Sequence, residues 1–443
     1  MEKKDGFLIG AFALFLVLFG ILAVKMHFHD ALEYINLAKN LAGIKNIDIF
    51  SCHSALYPFI ISFFLKIFPS AMTIRLINCS WIFLIGLVLL LGLKNQKAFI
   101  IFSFSPLSWY MSIQTTPALP AAFFFLLSYI FFFKEKIRFN LWLAGFFLGL
   151  AFAFYTPIGL LAAFLIPIFF WDKPFSKIIS FGIASAIGFI PSLLLDYYLF
   201  GTPGYSLIRF IGVNFLIILN QHPSYNPINF FRHPEMWMLL IVISPFLFRI
   251  YKLELQKYGR ILLFLGVITL ILVIRIPDIK YFIMLSPIVA LLLSRVLNEF
   301  EIKWHCIISI AVIIFLTYGF FVQDAAYNAD LQKIKQNYSN KYFIGGPIEE
   351  SSILAAFSWE NTPYFVWWQD YQASLNNQTL FRKYDFNFNS DKIVLKDKFV
   401  ISGLFSRTDE TKKYDDFIIV SSNKSLTGYK LDRCYNELCV YNA

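Results

Sequence analysis

Long apolar runs alternate with short polar gaps along most of this chain. The runs fall near 7–24, 71–93, 97–112, 118–133, 139–155, 157–171, 176–197, 236–249, 260–275, 281–297 and 305–322. Each comes near the ~20 residues a helix needs to cross the hydrocarbon core, so the pattern predicts an α-helical polytopic membrane protein of about eleven spans. Two segments between the first and second runs behave differently. In HDALEYINLAKNLAG (29–43), Leu32, Ile35, Leu37, Ala38 and Leu41 recur at roughly helical spacing. That predicts an amphipathic helix lying on the membrane surface. The stretch 55–68 is short and interrupted by Pro58 and Lys66, and reads as a second surface or re-entrant helix. Beyond 322 the chain turns rich in Asn, Asp, Lys and Ser, with short apolar runs. Strands are expected at 341–345, at 417–420 and within 429–441, and a helix at 349–359. The chain thus divides into a transmembrane domain, 1–322, and a small C-terminal α/β domain, 323–443.

Composition agrees. The 443 residues are 58% hydrophobic and 15% charged, with 53 Phe, and mean hydropathy is +0.63. A soluble domain carries about 25% charge. A net charge of +10 raises nucleic acid as a partner. The basic residues lie in short loops between apolar runs instead, where the positive-inside rule puts them. The first run follows Lys3 and Lys4 but lacks a small-residue cleavage site, and reads as a retained anchor.

Charge also sets a topology. From a cytoplasmic N-terminus, the inner loops carry Lys94 and Lys97, then Lys134, Lys136 and Arg138, then Lys173 and Lys177. Arg249, Lys252, Lys257 and Arg260 follow, then Arg295 and Lys303. The turns near Gln114 and Thr156 carry no basic residue. Segments 25–70 and 197–235 and the C-terminal domain therefore fall outside. That face is either the outside of a plasma membrane or the lumen of the endoplasmic reticulum. His27, His29, His53, His222 and His233 share it, and His305 does not. Cys434 and Cys439 flank the turn YNEL and would pair in an exported domain; two unpaired strand cysteines are the alternative.

Candidate chemistry collects on the outer face. Asp30 and Glu33 sit just beyond the first span, where burying an acid costs at least a few kcal/mol. Asp30 reads as a general base for an acceptor hydroxyl attacking a sugar C1. Asp30 and Glu33 also fit a capping box, and one carboxylate can serve both ends. His27, His29, His53 and Asp30 offer a possible divalent-metal set, or contacts to substrate phosphate. In RIPDIKYFIMLSP (275–287), Arg275 and Lys280 bring positive charge to headgroup depth, for a lipid phosphate or as snorkelling anchors. Asp196 precedes a Gly- and Pro-marked turn and a helix carrying Arg209, which reads as a lid or a plain connector.

The order of these pieces resembles the GT-C superfamily of membrane glycosyltransferases. HDALEYINLAKNL resembles its first outer-loop motif, and SALYPFIISFFLKIF (54–68), with Tyr57, its second surface helix. TIRLIN (73–78) resembles the R-x-x-N start of the second span, and FSFSPLSWYMSIQ (102–114) the third-span motif. LAGFFLGLAFAF (143–154) resembles a later G-x-x-x-G span. DYYLFGTP (196–203), NPINFFRHPEMW (226–237) and IPDIKYFIMLSP look most like the mannosyltransferase branch. The resemblance implies an inverting enzyme that moves a hexose, mannose first, from a polyprenyl- or dolichyl-phosphate carrier. The acceptor would be a lipid-linked glycan, a glycolipid or a protein. It implies Asp30 as catalytic base with Glu33 in support, and Lys280 and Tyr281 on the donor phosphate. His29, His53, Tyr57, Arg209 and Arg275 complete the expected substrate site. The leaving group needs no cofactor. The chain departs from the pattern at QTTPAL (114–119), which has no carboxylate, and at Tyr155-Thr156, where relatives carry Arg. WWQDY (367–371) is also similar to the W-W-D-Y-G signature of oligosaccharyltransferases. A non-enzymatic lipid or polysaccharide transporter would want mid-span charges and repeats; this sequence has few such charges and no convincing repeat.

Overall fold

A computed structural model describes residues 3–22, 31–44, 53–133, 140–171, 173–207, 210, 249, 252–275 and 279–338. In the C-terminal part it describes 342–345, 365–367, 392–395, 399–402, 417–421, 430–436 and 438–442. The helices are α1 (Lys3–Leu22), α2 (Ala31–Leu41), α3 (Leu56–Ile67), α4 (Ala71–Leu87), α5 (Gln96–Ser103), α6 (Pro106–Ser112) and α7 (Ala118–Phe133). They continue as α8 (Asn140–Phe154), α9 (Ile158–Phe170), α10 (Phe175–Phe200), α11 (Leu255–Arg275), α12 (Ser286–Val296) and α13 (Glu299–Asn337). A π-helical turn, Val88–Gly92, extends α4, and a 3-10 helix, Ile279–Met284, precedes α12.

Among the described residues, Met72–Gly92 and Phe175–Phe200 are long and apolar enough to cross a bilayer, and five shorter helices are apolar. Their exposed faces are inverted relative to a soluble protein. On α10, Phe175, Ile179, Ile183, Ile187, Ile190 and Leu194 recur every three or four residues, and all are exposed. A row of large apolar side chains at helical spacing is a lipid face.

The expected third span at 97–112 is not one helix. Ser105 is extended (φ −64°, ψ 126°), so the chain stops at α5 and restarts as α6. Pro106 explains this, because it lacks an N–H and disfavours helical backbone in the residue before it. The expected span at 281–297 likewise begins inside the 3-10 helix, and only Ser286–Val296 is α-helical. The expected span at 236–249, apart from Arg249, and the helix at 349–359 lie outside the described residues.

Small residues set the closest approach. A Cβ built on Gly149 would lie 1.9 Å from the Ser185 carbonyl oxygen, and one on Gly188 2.1 Å from that of Phe146. The backbones of α8 and α10 therefore touch directly, as small-residue membrane interfaces allow. Ser128 Oγ ties α7 to α8 by donating to the Ala144 carbonyl at 2.7 Å.

The bonds between loops keep the two ends of the bundle separate. At the basic end, Asn95 Nδ2 donates to Ser294 Oγ at 2.9 Å, and Arg249 pairs with Glu301. At the other end lie α2, α3 and the turns at Gln114 and Thr156, described below.

The helix α13 carries the chain past residue 322 without a break, to Asn337. The strands are β1 (Tyr342–Gly345), β2 (Phe365–Trp367), β3 (Lys392–Leu395), β4 (Phe399–Ser402), β5 (Phe417–Ser421), β6 (Lys430–Cys434) and β7 (Cys439–Asn442). Five form a mixed sheet ordered β2-β1-β5-β7-β6, with β1 parallel to β2 and β5. β3 and β4 pair separately, antiparallel. Cys434 faces Cys439 in register across the β6–β7 hairpin, and the two are joined. The hairpin docks on α13. The buried Asp330 accepts from Leu438 N at 3.3 Å and Asn436 Nδ2 at 3.4 Å, and Tyr338 donates to Asp432.

Candidate functional site

α2 begins at Ala31, directly after Asp30. Its apolar face is covered by protein, since Tyr34, Ile35, Leu37 and Ala38 are buried against α3. The expected set was Leu32, Ile35, Leu37, Ala38 and Leu41. Tyr34 belongs to the buried face, and Leu41 is only half-buried. Tyr34 meets Tyr57 of α3 edge-on at 5.6 Å, and the His53 ring at 5.4 Å. His53 in turn lies 6.3 Å from Phe210, beyond α10.

Tyr57 is fully buried and belongs to a polar chain. Its hydroxyl donates to Asn78 Oδ1 at 2.6 Å, and Asn78 Nδ2 donates to the Gln114 carbonyl at 2.5 Å. Burial outweighs the bonds to Asn78 and the Thr116 backbone and raises the Tyr57 phenol well above its ordinary value. The group therefore stays a neutral donor. The turn it reaches, with Gln114, Thr115 and Thr116, is itself buried. This is the turn that carries no acid.

The cationic turn belongs to the same end. Lys280 is buried, with Nζ 5.7 Å from the centre of the Tyr281 ring. Tyr281 stacks on Tyr155 at 5.8 Å, with planes 26° apart. Two residues before Tyr155, the Ala153 carbonyl accepts from Ser54 Oγ at 2.5 Å, and Ser54 also lies 3.3 Å from Ser192 Oγ. Ser54 adjoins His53. A continuous line of contacts therefore runs from Lys280 through Tyr281, Tyr155, Ala153, Ser54 and His53 to Tyr34, one turn into the helix that Asp30 precedes.

Asp196 closes this end from α10. It is buried and accepts from Ser206 N at 3.0 Å and Ser206 Oγ at 2.7 Å. The intervening turn uses Gly201 and Gly204 at φ +70° and +74°, a region that favours glycine.

Of the residues expected from sequence, the structure brings His53 and Tyr57 together around Tyr34, and Lys280 with Tyr281 against Tyr155, the two groups joined through Ser54 and Ala153. Asp30, His29 and Arg209 lie outside the described residues, as do the side chains of Glu33 and Arg275. Among the described residues no three metal-ligating side chains converge. Sequence reasoning left out Tyr34, and named Arg75, Asn78 and Tyr155 only as motif positions or a departure, not as site residues. Arg75 lies one turn before Asn78 on α4, and its Nε and Nη1 are buried without a hydrogen-bond partner among the described residues. TIRLIN already contained Arg75 and Asn78, but nothing in that motif says which residues they meet. A separate cavity of about 20 Å³, walled by Phe125, Phe132, Phe169 and Phe264, is apolar and belongs to none of this.

No family model and no curated protein matches the chain. Its fold is similar to that of ArnT from Cupriavidus metallidurans, in a crystal structure bound to undecaprenyl phosphate. The TM-score is 0.55 at 11% identity, over 100% of this chain and 98% of that one. The two chains thus share a fold over their whole length.

Proposed function

We propose that the protein is a membrane glycosyltransferase of the GT-C type, using a polyprenyl-phosphate sugar as donor. One observation carries the reading. The Lys280–Tyr281 turn stacks on Tyr155, and the neighbouring Ala153 carbonyl holds Ser54 beside His53, whose ring meets Tyr34 of α2. A fold shared with ArnT, which binds undecaprenyl phosphate, supports the class of carrier.

In this reading Asp30 removes the acceptor hydroxyl proton, and the acceptor oxygen attacks the sugar C1. The bond from C1 to the phosphate oxygen breaks with inversion, and its electron pair leaves with the carrier phosphate. Lys280 stabilises the charge that develops there, with Arg275 or Arg209 assisting. Glu33 supports Asp30, while His29, His53, Arg209 and Arg275 complete the substrate contacts. The buried Tyr57–Asn78–Gln114 chain holds the floor of the site rigid beneath the sugar. A hexose, mannose first, is the proposed cargo, with a lipid-linked glycan, glycolipid or protein as acceptor. The site faces away from the basic loops, hence outside the cell or into a lumen.

The test is transfer from a polyprenyl-phosphate hexose by the purified full chain, with and without chelator. Asp30→Asn should fold normally and lose transfer by at least about a thousandfold. Turnover at the wild-type rate in that variant would remove the mechanism.

A further inference from the structure

A second buried polar cluster lies toward the basic end, away from the outer-face network. Where α5 stops and α6 restarts, the Oγ atoms of Ser103, Ser105 and Ser108 are buried without a hydrogen-bond partner among the described residues. The break frees backbone groups as well. Trp109 Nε1 covers one of them by donating to the Ser103 carbonyl at 2.6 Å.

The helix α13 packs against both α5 and α6. Within 299–315 its fully buried residues are Ile302, His305 and Ser309, spaced i, i+3, i+7, while Trp304, Ile307, Ile308 and Ile310 are exposed. That single covered stripe is the face turned to α5 and α6. His305 Nε2 and Ser309 Oγ are buried on it, and neither has a hydrogen-bond partner among the described residues.

Depth brings the two sets level. α5 and α13 both start at the basic end, capped by Asn95 and Asn298, and the Asn95–Ser294 bond ties those starts together. At ~1.5 Å per residue, Ser103 and Ser105 lie ~12 and ~15 Å beyond the first cap. By the same rise, His305 and Ser309 lie ~10 and ~16 Å beyond the second. The side chains of Ser103, Ser105, His305 and Ser309 thus lie at a similar depth on elements that pack together, and Ser108 follows one turn into α6. Each is costly to leave unbonded, and lipid supplies no partner.

We propose that this junction is a water-binding site, in which His305, Ser309 and the serines of the α5–α6 break hold a small cluster of ordered water. A buried water makes about three hydrogen bonds, so two waters satisfy all five side chains. The cluster lets the third span bend. The bend then sets the direction of α6, which ends in the turn holding Gln114. The site stands independently of the proposed sugar chemistry.

Water-edited solid-state NMR of the full chain in lipid bilayers, labelled with 15N-histidine, tests this. The His305 ring nitrogens are assigned by their loss in His305→Gln. The expected result is magnetisation transfer from water to His305, reduced at least about twofold in a Ser105→Ala, Ser108→Ala double variant. No transfer to His305 would overturn the proposal. So would transfer that the double variant leaves unchanged, since the water would then belong elsewhere.

Discussion

Tyr281 lies flat against Tyr155, with ring centres 5.8 Å apart and planes 26° from parallel. This contact joins the turn carrying Lys280 to the turn between α8 and α9, and so, through Ala153 and Ser54, to His53. Tyr281→Phe keeps the ring and should keep activity. Tyr281→Leu loses a pair worth about 0.5–1.5 kcal/mol, so donor kcat/KM should fall roughly threefold to tenfold. Equal rates in the two variants would remove stacking as the reason.

Tyr57→Phe removes the hydroxyl but leaves Asn78 Oδ1 buried. The expected loss is about 1–3 kcal/mol, seen as a lower melting temperature in detergent. A Tyr57→Phe, Asn78→Leu double variant removes both groups, and should cost less than the sum of the two single changes.

Asp196→Ala strands both the N–H and the hydroxyl of Ser206, whereas Asp196→Asn keeps one acceptor. The alanine variant should lose about 1–3 kcal/mol and the asparagine variant less. Protease cleavage within 201–210 should rise in the same order. Identical cleavage in all three proteins would mean the staple does not hold the loop.

Gly149→Val puts a branched side chain against the Ser185 carbonyl of α10. Overpacking costs about 1–3 kcal/mol in ordinary cores, and more where the obstacle is backbone. The variant should express with little folded protein on size exclusion, while Gly182→Val, which meets open space, should behave as wild type.

Much of this architecture was legible because one force dominates it. Apolar runs report where lipid lies, so the ends of α4, α7, α8 and α10 fall within a few residues of the expected limits. The broken third span was not legible by that route. Ser105-Pro106 changes backbone direction without changing hydrophobicity, so a continuous run concealed two helices. Lys280 and Tyr281 stood out because charge at a membrane edge is costly. Asn78 and Tyr155 did not, since a neutral amide and a phenol acquire a role only through partners far along the chain. The bond between Asp196 and Ser206 depends on how a glycine turn folds back, which spacing alone does not encode. The β6–β7 hairpin was legible from its alternation and its two cysteines, but its docking on Asp330 was not.

The 39-residue α13 starts in a capping box whose Glu301 also binds Arg249, and ends against the β6–β7 hairpin. It is about 58 Å long, at 1.5 Å per residue. Such a rod works as a lever. A few degrees of tilt at the end near Arg249 displace the far end by several ångströms, so events among the basic loops are mechanically coupled to the hairpin docked at the helix's other end.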